Sequence, residues 1–192
     1  MDSHLQLIGS IVIAGIFMIG LMNFYGGVLD FTNQGLFDVL TQETTASLME
    51  IVEHDFNRMG AGLASPALAI VSYDTSDITF LGDIDADGTV DSVRYYVSGP
   101  AQATATPNPN DVILFRRVNG VNTIDWPTGV VAFRVELHDE TGNPTANPLE
   151  ARMIDIALVV ESTFPYNERY ARAFWEKRIT PVNLFRYTYT DF

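Results

Sequence analysis

The 192-residue chain contains no cysteine, which excludes disulfides, thiolate metal sites and thiol nucleophiles. Positive charge is scarce too. Eleven Lys and Arg stand against 24 Asp and Glu, giving a net charge of −13 and a pI near 4.4. Nucleic acid requires a basic surface that displaces counterions from its phosphates, so no nucleic-acid partner is expected. Anionic lipid is a poor partner for the soluble part for the same reason. No Lys or Arg precedes Arg58, so positive charge cannot orient a membrane segment. The chain also lacks Gly-x-Ser-x-Gly, a phosphate loop and His-Glu-x-x-His, and Gly60 to Gly62 follows a helical pattern rather than a strand. No enzyme is expected.

What is present begins with one long apolar run, Leu5 to Met22, which carries no charged residue. About 18 to 20 such residues, at about 1.5 Å each, match the ~30 Å hydrocarbon layer of a bilayer. A secretory signal would show basic residues ahead of a shorter run and a small-residue cut after it. Here Met1, Asp2, Ser3 and His4 lead, and the run passes through Asn23, Phe24 and Tyr25 into Gly26 and Gly27. It reads as a retained segment.

From Phe31 to Met59 the pattern becomes amphipathic. Phe37, Leu40, Thr44, Leu48, Val52, Phe56 and Met59 recur at spacings of three and four, with Asp38, Glu43, Glu50 and Glu53 between them. Gly60 and Gly62 supply a helix stop. Gly26, Gly27 and Gly35 suggest a kink or local unwinding in the helix. Continuous, it runs about 55 residues, or ~80 Å. Beyond it come short alternating runs: Leu68 to Tyr73, Ile78 to Leu81, Val90 to Val97, Val112 to Val118, Val130 to Leu137 and Met153 to Val160. In one of them Val131, Phe133, Val135 and Leu137 share a face opposite Ala132, Arg134 and Glu136. Exposed loops follow at Gly99 to Asn110 and Asp139 to Pro148, and Asn167 to Arg178 suggests a short helix containing Trp175. The expected fold is α+β: a long N-terminal helix, hydrophobic and then amphipathic, packed on an antiparallel sheet. It divides into a stem (1–27), the amphipathic half of the helix (28–62) and a β-rich head (63–192).

One stretch carries coordination chemistry. Asp83, Asp85, Asp87, Gly88 and Asp91 fit D-x-D-x-D-G-x-x-D, the front of a calcium loop, with Thr89 able to lend its carbonyl. Alternate aspartates at a tight turn converge hard oxygen donors, and Arg94 stands where an EF-hand would place its bidentate acid. Two readings fit: a strand–loop–strand Ca²⁺ hairpin, or an exposed acidic β-turn. Glu53, His54 and Asp55 diverge around a helix and read as a solvated face. His4 and His138 have no partner at ligand spacing. Tyr95, Tyr96, Trp126 and Trp175 read as core aromatics.

The order of these features resembles type IV pilin-like proteins, and most closely the minor pilin and type II secretion minor pseudopilin group. The residues that carry it are the apolar half-helix, Asp55 to Gly60 (DFNRMG), Ile78 to Gly88 (ITFLGDIDADG), Val93 to Tyr96 (VRYY), Leu114 to Arg117 (LFRR) and Val182 to Leu184 (VNL). The resemblance covers nearly the whole chain. It implies a filament subunit that is held in the inner membrane and then joins itself or other pilin-like subunits through its helix, in an extracellular filament or a periplasmic pseudopilus. Leu7, Ile8, Gly9, Ile11, Ile13, Ala14, Gly15, Phe17 and Gly20 would form the assembly surface, with the small residues permitting close helix approach. Pilin precursors also carry a basic leader and an early glutamate; neither is visible, and Gly9 and Ser10 stand where the acid belongs. The rival expectation is a single-pass anchored accessory or binding subunit of a larger membrane complex.

Overall fold

A computed structural model describes residues 2–65, 68–99, 102–104, 106–126, 129–166 and 168–185. Pro100, Ala101 and Ala105 of the first expected loop, and Asn167 at the start of the expected terminal helix, lie outside them. Helix α1 (Asp2–Asn57) is continuous for 56 residues, so no unwinding occurs at Gly26, Gly27 or Gly35. Serine and threonine do not interrupt it, because their hydroxyls donate to carbonyls four residues back. Ser10 bonds Gln6, Thr32 bonds Val28, Thr41 bonds Phe37 and Thr45 bonds Thr41.

The packed face departs from the expected helix stripe. The buried positions are Thr41, Thr45, Leu48, Met49, Val52, Asp55, Phe56 and Met59, whereas Leu40 and Thr44 are exposed. With its hydroxyl satisfied, a threonine presents mainly its methyl group, and two of them occupy the far end of the packed face. Leu40 is left outside with Leu36 and Val39. Among the described residues before Thr41 only Gly9 and Phe37 are even half-buried, so the helix projects from the head as a stem.

Eight strands follow: β1 (Ile70–Asp74), β2 (Asp77–Gly82), β3 (Asp91–Val97), β4 (Leu114–Val118), β5 (Val121–Trp126), β6 (Val130–His138), β7 (Met153–Glu161) and β8 (Arg172–Ile179). They form two antiparallel sheets, a β1-β2-β3-β4-β5 meander and a β6-β7-β8 meander, where one sheet was expected. Backbone and side-chain bonds tie the two together: Val112 N to Val130 O, Val135 N to Thr75 O, and the Tyr73 hydroxyl to Val135 O. Their buried residues make one core with the helix.

Three further expectations change. The segment from Arg172 to Ile179 is strand β8, because pairing along β7 places Ala173 and Trp175 against the core side and overrides the helical composition. Strand β5 was not anticipated. In β6 a bulge between Val130 and Ala132 buries Val130 and leaves Val131 half-exposed, while Phe133, Val135 and Leu137 point inward as expected.

The helix end is locked to both sheets. Phe56 packs on Phe80 at 5.0 Å and on Tyr95 at 5.7 Å between ring centroids, and Tyr95 stacks on Phe133 at 6.0 Å. Beside them Asp55, 1% exposed, accepts from the Tyr95 hydroxyl at 2.6 Å and from Arg116 Nε and Nη2 at 2.6 and 3.1 Å. Burial, then the charge of Asp55, pushes the Tyr95 phenol well above its usual range, so it remains a donor. At Arg116 burial opposes the charge, but the hydrogen bonds and charge of Asp55 outweigh it and hold the guanidinium above its ordinary value. Removing one partner of such a buried pair strands the other. Asp55→Ala in the detergent-solubilised full chain is therefore expected to lose about 3 kcal/mol in denaturant unfolding; a loss under about 1 kcal/mol would mean the pair is incidental.

Candidate functional site

The helix stop positions the aspartate loop. Gly60 and Gly62 adopt φ 81 and 76, reversing the chain after α1. Gly60 N then donates to Leu81 O, Asp83 N donates to Ala61 O, and Arg58 Nη1 donates to Asp83 O at 2.9 Å. A Cβ at Gly82 would collide with Arg58 O, so only glycine allows this approach. The first aspartate is thus bonded to the helix terminus through its own main chain.

Residues 83 to 90 form the turn of the β2–β3 hairpin, whose last pair is Gly82 with Asp91. Ala86 and Gly88 take positive φ there. The carboxylates of Asp83, Asp85 and Asp91 each place an oxygen within 4.8 Å of the others. Asp91 is buried and accepts from Asn119 Nδ2 and Ile84 N, while Asp83 Oδ2 accepts from Gly88 N. Asp83 Oδ1 is buried without a hydrogen-bond partner. Three of the five sequence-predicted ligands therefore converge. Asp87 instead accepts from Thr89 N at 2.7 Å in a local turn, and both residues face solvent. The donor set is all oxygen and strongly anionic, which suits a hard cation such as Ca²⁺ with backbone carbonyls or water completing its shell.

The residues expected to form the assembly surface all lie on the projecting stem, distributed around the helix. Leu7, Ile8, Ile11, Ile13, Ala14, Gly15, Phe17 and Gly20 are exposed and Gly9 is half-exposed. Among the described residues, nothing beyond the neighbouring helix backbone stands within 4 Å of where a Cβ would lie at Gly9, Gly15 or Gly20. The segment is long and apolar enough to cross a membrane, with mean hydropathy 2.2. Sequence reasoning missed the exposed cluster of Leu36, Val39 and Leu40 because it assigned Leu40 to the core. The signal lay in the i, i+3, i+4 spacing of these three residues, on the side away from Thr41, Thr45 and Leu48.

Elsewhere on the head, His54 is exposed while its neighbour Asp55 is buried, so only half of that segment is solvated. Tyr95 is core as expected; Tyr96 lies on the opposite face, stacked on Phe115 with Arg94 above its ring. Trp175 packs on the core, and the Trp126 side chain is outside the described residues. A cleft of about 700 Å³ crosses the outer face of β6-β7-β8 above Ala132, Ala157 and Val159. At its rim Arg178 holds Asp155 through two bonds of 2.6 Å and approaches His138 Nε2 at 3.3 Å.

Compared with protein-family models, curated proteins and solved structures, the chain matches none.

The hydrogen bonds from Arg178 hold the Asp155 carboxyl below its usual value, against an opposing effect of burial. A carboxyl with a lowered folded pKa adds stability above its unfolded pKa, about 3.9, and loses it as pH falls through the folded value. Asp155→Asn is therefore expected to flatten the acid limb of the melting curve between about pH 5 and pH 2, by less than about 1 kcal/mol for this rim pair. An unchanged pH profile would show that the pair is not coupled to folding.

Proposed function

We propose that the chain is a structural subunit of a pilin-like filament, a type IV pilus or a secretion pseudopilus. Its stem is held first in the inner membrane and is then packed against the stems of other copies or of related pilin-like subunits. The order of motifs from Asp55 through Leu184 supports the family reading, and the proposal assigns the head no catalytic step.

One observation carries the assembly role. Asp30 is the first carboxylate after the apolar run, so a span of about 20 residues ends by Leu29. Leu36, Val39 and Leu40 lie beyond it, 55%, 59% and 48% exposed, on the helix side away from the head. A lone anchor leaves these three side chains in water. A neighbouring stem covers them, and each aliphatic side chain buried contributes on the order of 1 kcal/mol. Gly9, Gly15 and Gly20 favour the same outcome. In a helix interior each costs about 1 kcal/mol relative to alanine, and no contact within the chain requires them.

The single-pass accessory subunit is the second reading, favoured by the uncharged stretch from Leu5 to Leu29, which alone satisfies a bilayer. Immunogold electron microscopy of sheared cell-surface material separates the two. The filament reading expects labelled filaments, and expects Leu36→Glu with Val39→Glu to abolish them while membrane insertion and head melting stay unchanged. Protein found wholly in the membrane fraction, with no labelled filament, supports the accessory subunit instead.

The aspartate hairpin is proposed to bind Ca²⁺, whose role is to fix the β2–β3 turn against the helix end through Asp83. Millimolar Ca²⁺ is expected to raise the melting temperature and release calorimetric heat, with binding weakened about tenfold by Asp85→Asn. Neither heat nor a melting shift would leave the loop as an acidic β-turn.

A further inference from the structure

The outer face of the five-stranded sheet carries a positive charge that the fold leaves without a partner. Across β2 to β5, Asp77, Tyr96, Phe115 and Asp125 share one row of the register, and Thr79, Arg94, Arg117 and Asn122 the next. Arginines directly opposite one another repel. Arg94 is relieved by Asp77, which accepts from its Nε at 2.9 Å and from its Nη2. Arg117 has no such partner among the described residues, and its Nε is buried without a hydrogen bond. Beside it Arg94 lies 4.5 Å over the Tyr96 ring, and Tyr96 stacks on Phe115 at 4.9 Å. These planar groups form a shelf that is ordered before anything binds, so little side-chain entropy remains to be lost. Arginine and tyrosine in such a setting are the residues that dominate protein interfaces.

The outer face of the other sheet carries the complement. On edge strand β8, Phe174 is 64% exposed and Glu176 is exposed on the same side, beside the cleft floored by Ala132, Ala157 and Val159. The cations of β8 are already taken, Arg172 by Glu161, Lys177 by Glu53 and Arg178 by Asp155. Arg134 stands across Ala157 from Glu176 in the register, and no ion pair joins the two. Phe115 and Arg117 are two residues apart on one side of β4, Phe174 and Glu176 two apart on one side of β8, and each step measures about 7 Å. Laid sheet on sheet, phenylalanine meets phenylalanine where glutamate meets arginine. The two faces cannot meet within one head, since the inner sides of both sheets share one core. Neither suits itself, because an in-register self-contact sets Arg117 near Arg117 or Glu176 near Glu176.

We infer that one head docks on the next through these two unlike faces: Phe174 of one copy lies on the Phe115 shelf of another, and Glu176 pairs with Arg117. Heads of net charge −13 repel when packed side by side, and this contact sets opposite charges together. Because the two surfaces differ, the contact is heterologous; each head keeps one free face, and docking propagates along an open helical array. The inference rests on the filament reading of the proposed function and supplies a head contact that the stems alone do not specify.

A benzophenone tests it on intact cells. It is carried by Asn122→Cys, exposed and beside Arg117 in the register, and in a parallel strain by Val39→Cys in the stem. The label at 122 is expected to give an adduct with a second copy that maps to β8 or the neighbouring β7. Adding Arg117→Glu is expected to cut that adduct several-fold without lowering the melting temperature of the head, and Arg117→Glu with Glu176→Arg is expected to restore it. Adducts from 39 with none from 122 overturn the inference and leave the filament reading standing. Adducts from 122 onto β8 with none from 39 retain the head contact and count against stem packing, and the absence of both overturns both. An adduct from 122 that maps to the same sheet face or to a different protein overturns the inference too, as does a yield that Arg117→Glu leaves unchanged or that the reversed pair fails to restore.

Discussion

The buried carboxylate of Asp55 is the constraint on which the head depends. It is satisfied only where Arg116 of β4 and Tyr95 of β3 reach it together, so the helix end has one position on the five-stranded sheet. Phe56, the next residue, fills the space between Phe80 and Tyr95. From that position Gly60 and Gly62 turn the chain, Gly82 admits the Arg58 carbonyl, and the aspartate hairpin is set against the helix terminus. A buried ion pair of this kind contributes less net stability than apolar packing would, but it penalises any arrangement that leaves one member unpaired.

Once the helix end is fixed, its two faces take on separate tasks along its length. From Thr41 onward the apolar face packs on the head. Before Thr41 the helix residues whose burial is described are exposed apart from half-buried Gly9 and Phe37, and its apolar surface is longer than a bilayer is thick. Under the proposed filament reading this mismatch links the fold to assembly, because lipid would cover the lower stem and leave the segment around Leu36 to a protein surface. Transfer from lipid to a bundle of stems then costs little hydrophobic energy, since one apolar surrounding replaces another.

Periodicity made much of this fold legible in the sequence. The helix, six of the strands and the aspartate hairpin follow from apolar spacing and turn residues, since each is specified by neighbours along the chain. Features set by distant residues were harder to read. Strand β8 has a composition compatible with a helix, and only its pairing with β7 decides the matter. Strand β5 (VNTIDW) lacks a strict apolar alternation, yet Asn119 and Gly120, both at positive φ, formed a tight-turn signal that could have revealed it. The bulge in β6 reverses one valine and not its neighbours. Thr41 and Thr45 look polar in sequence but become core once their hydroxyls bond the preceding turn. At the site, the convergence of Asp83, Asp85 and Asp91 follows from the hairpin, whereas the departure of Asp87 depends on a local bond to Thr89. The burial of Asp55 was invisible because its partners lie 40 and 61 residues away.

The central claim is that a second stem covers the helix face at Leu36, Val39 and Leu40. A benzophenone carried by Val39→Cys, the sole cysteine in the chain, tests it in cells on illumination. The account predicts adducts with a second polypeptide that map to the stem of another copy or of a pilin-like subunit. A photoproduct confined to the single chain, with the label open to water, would contradict it.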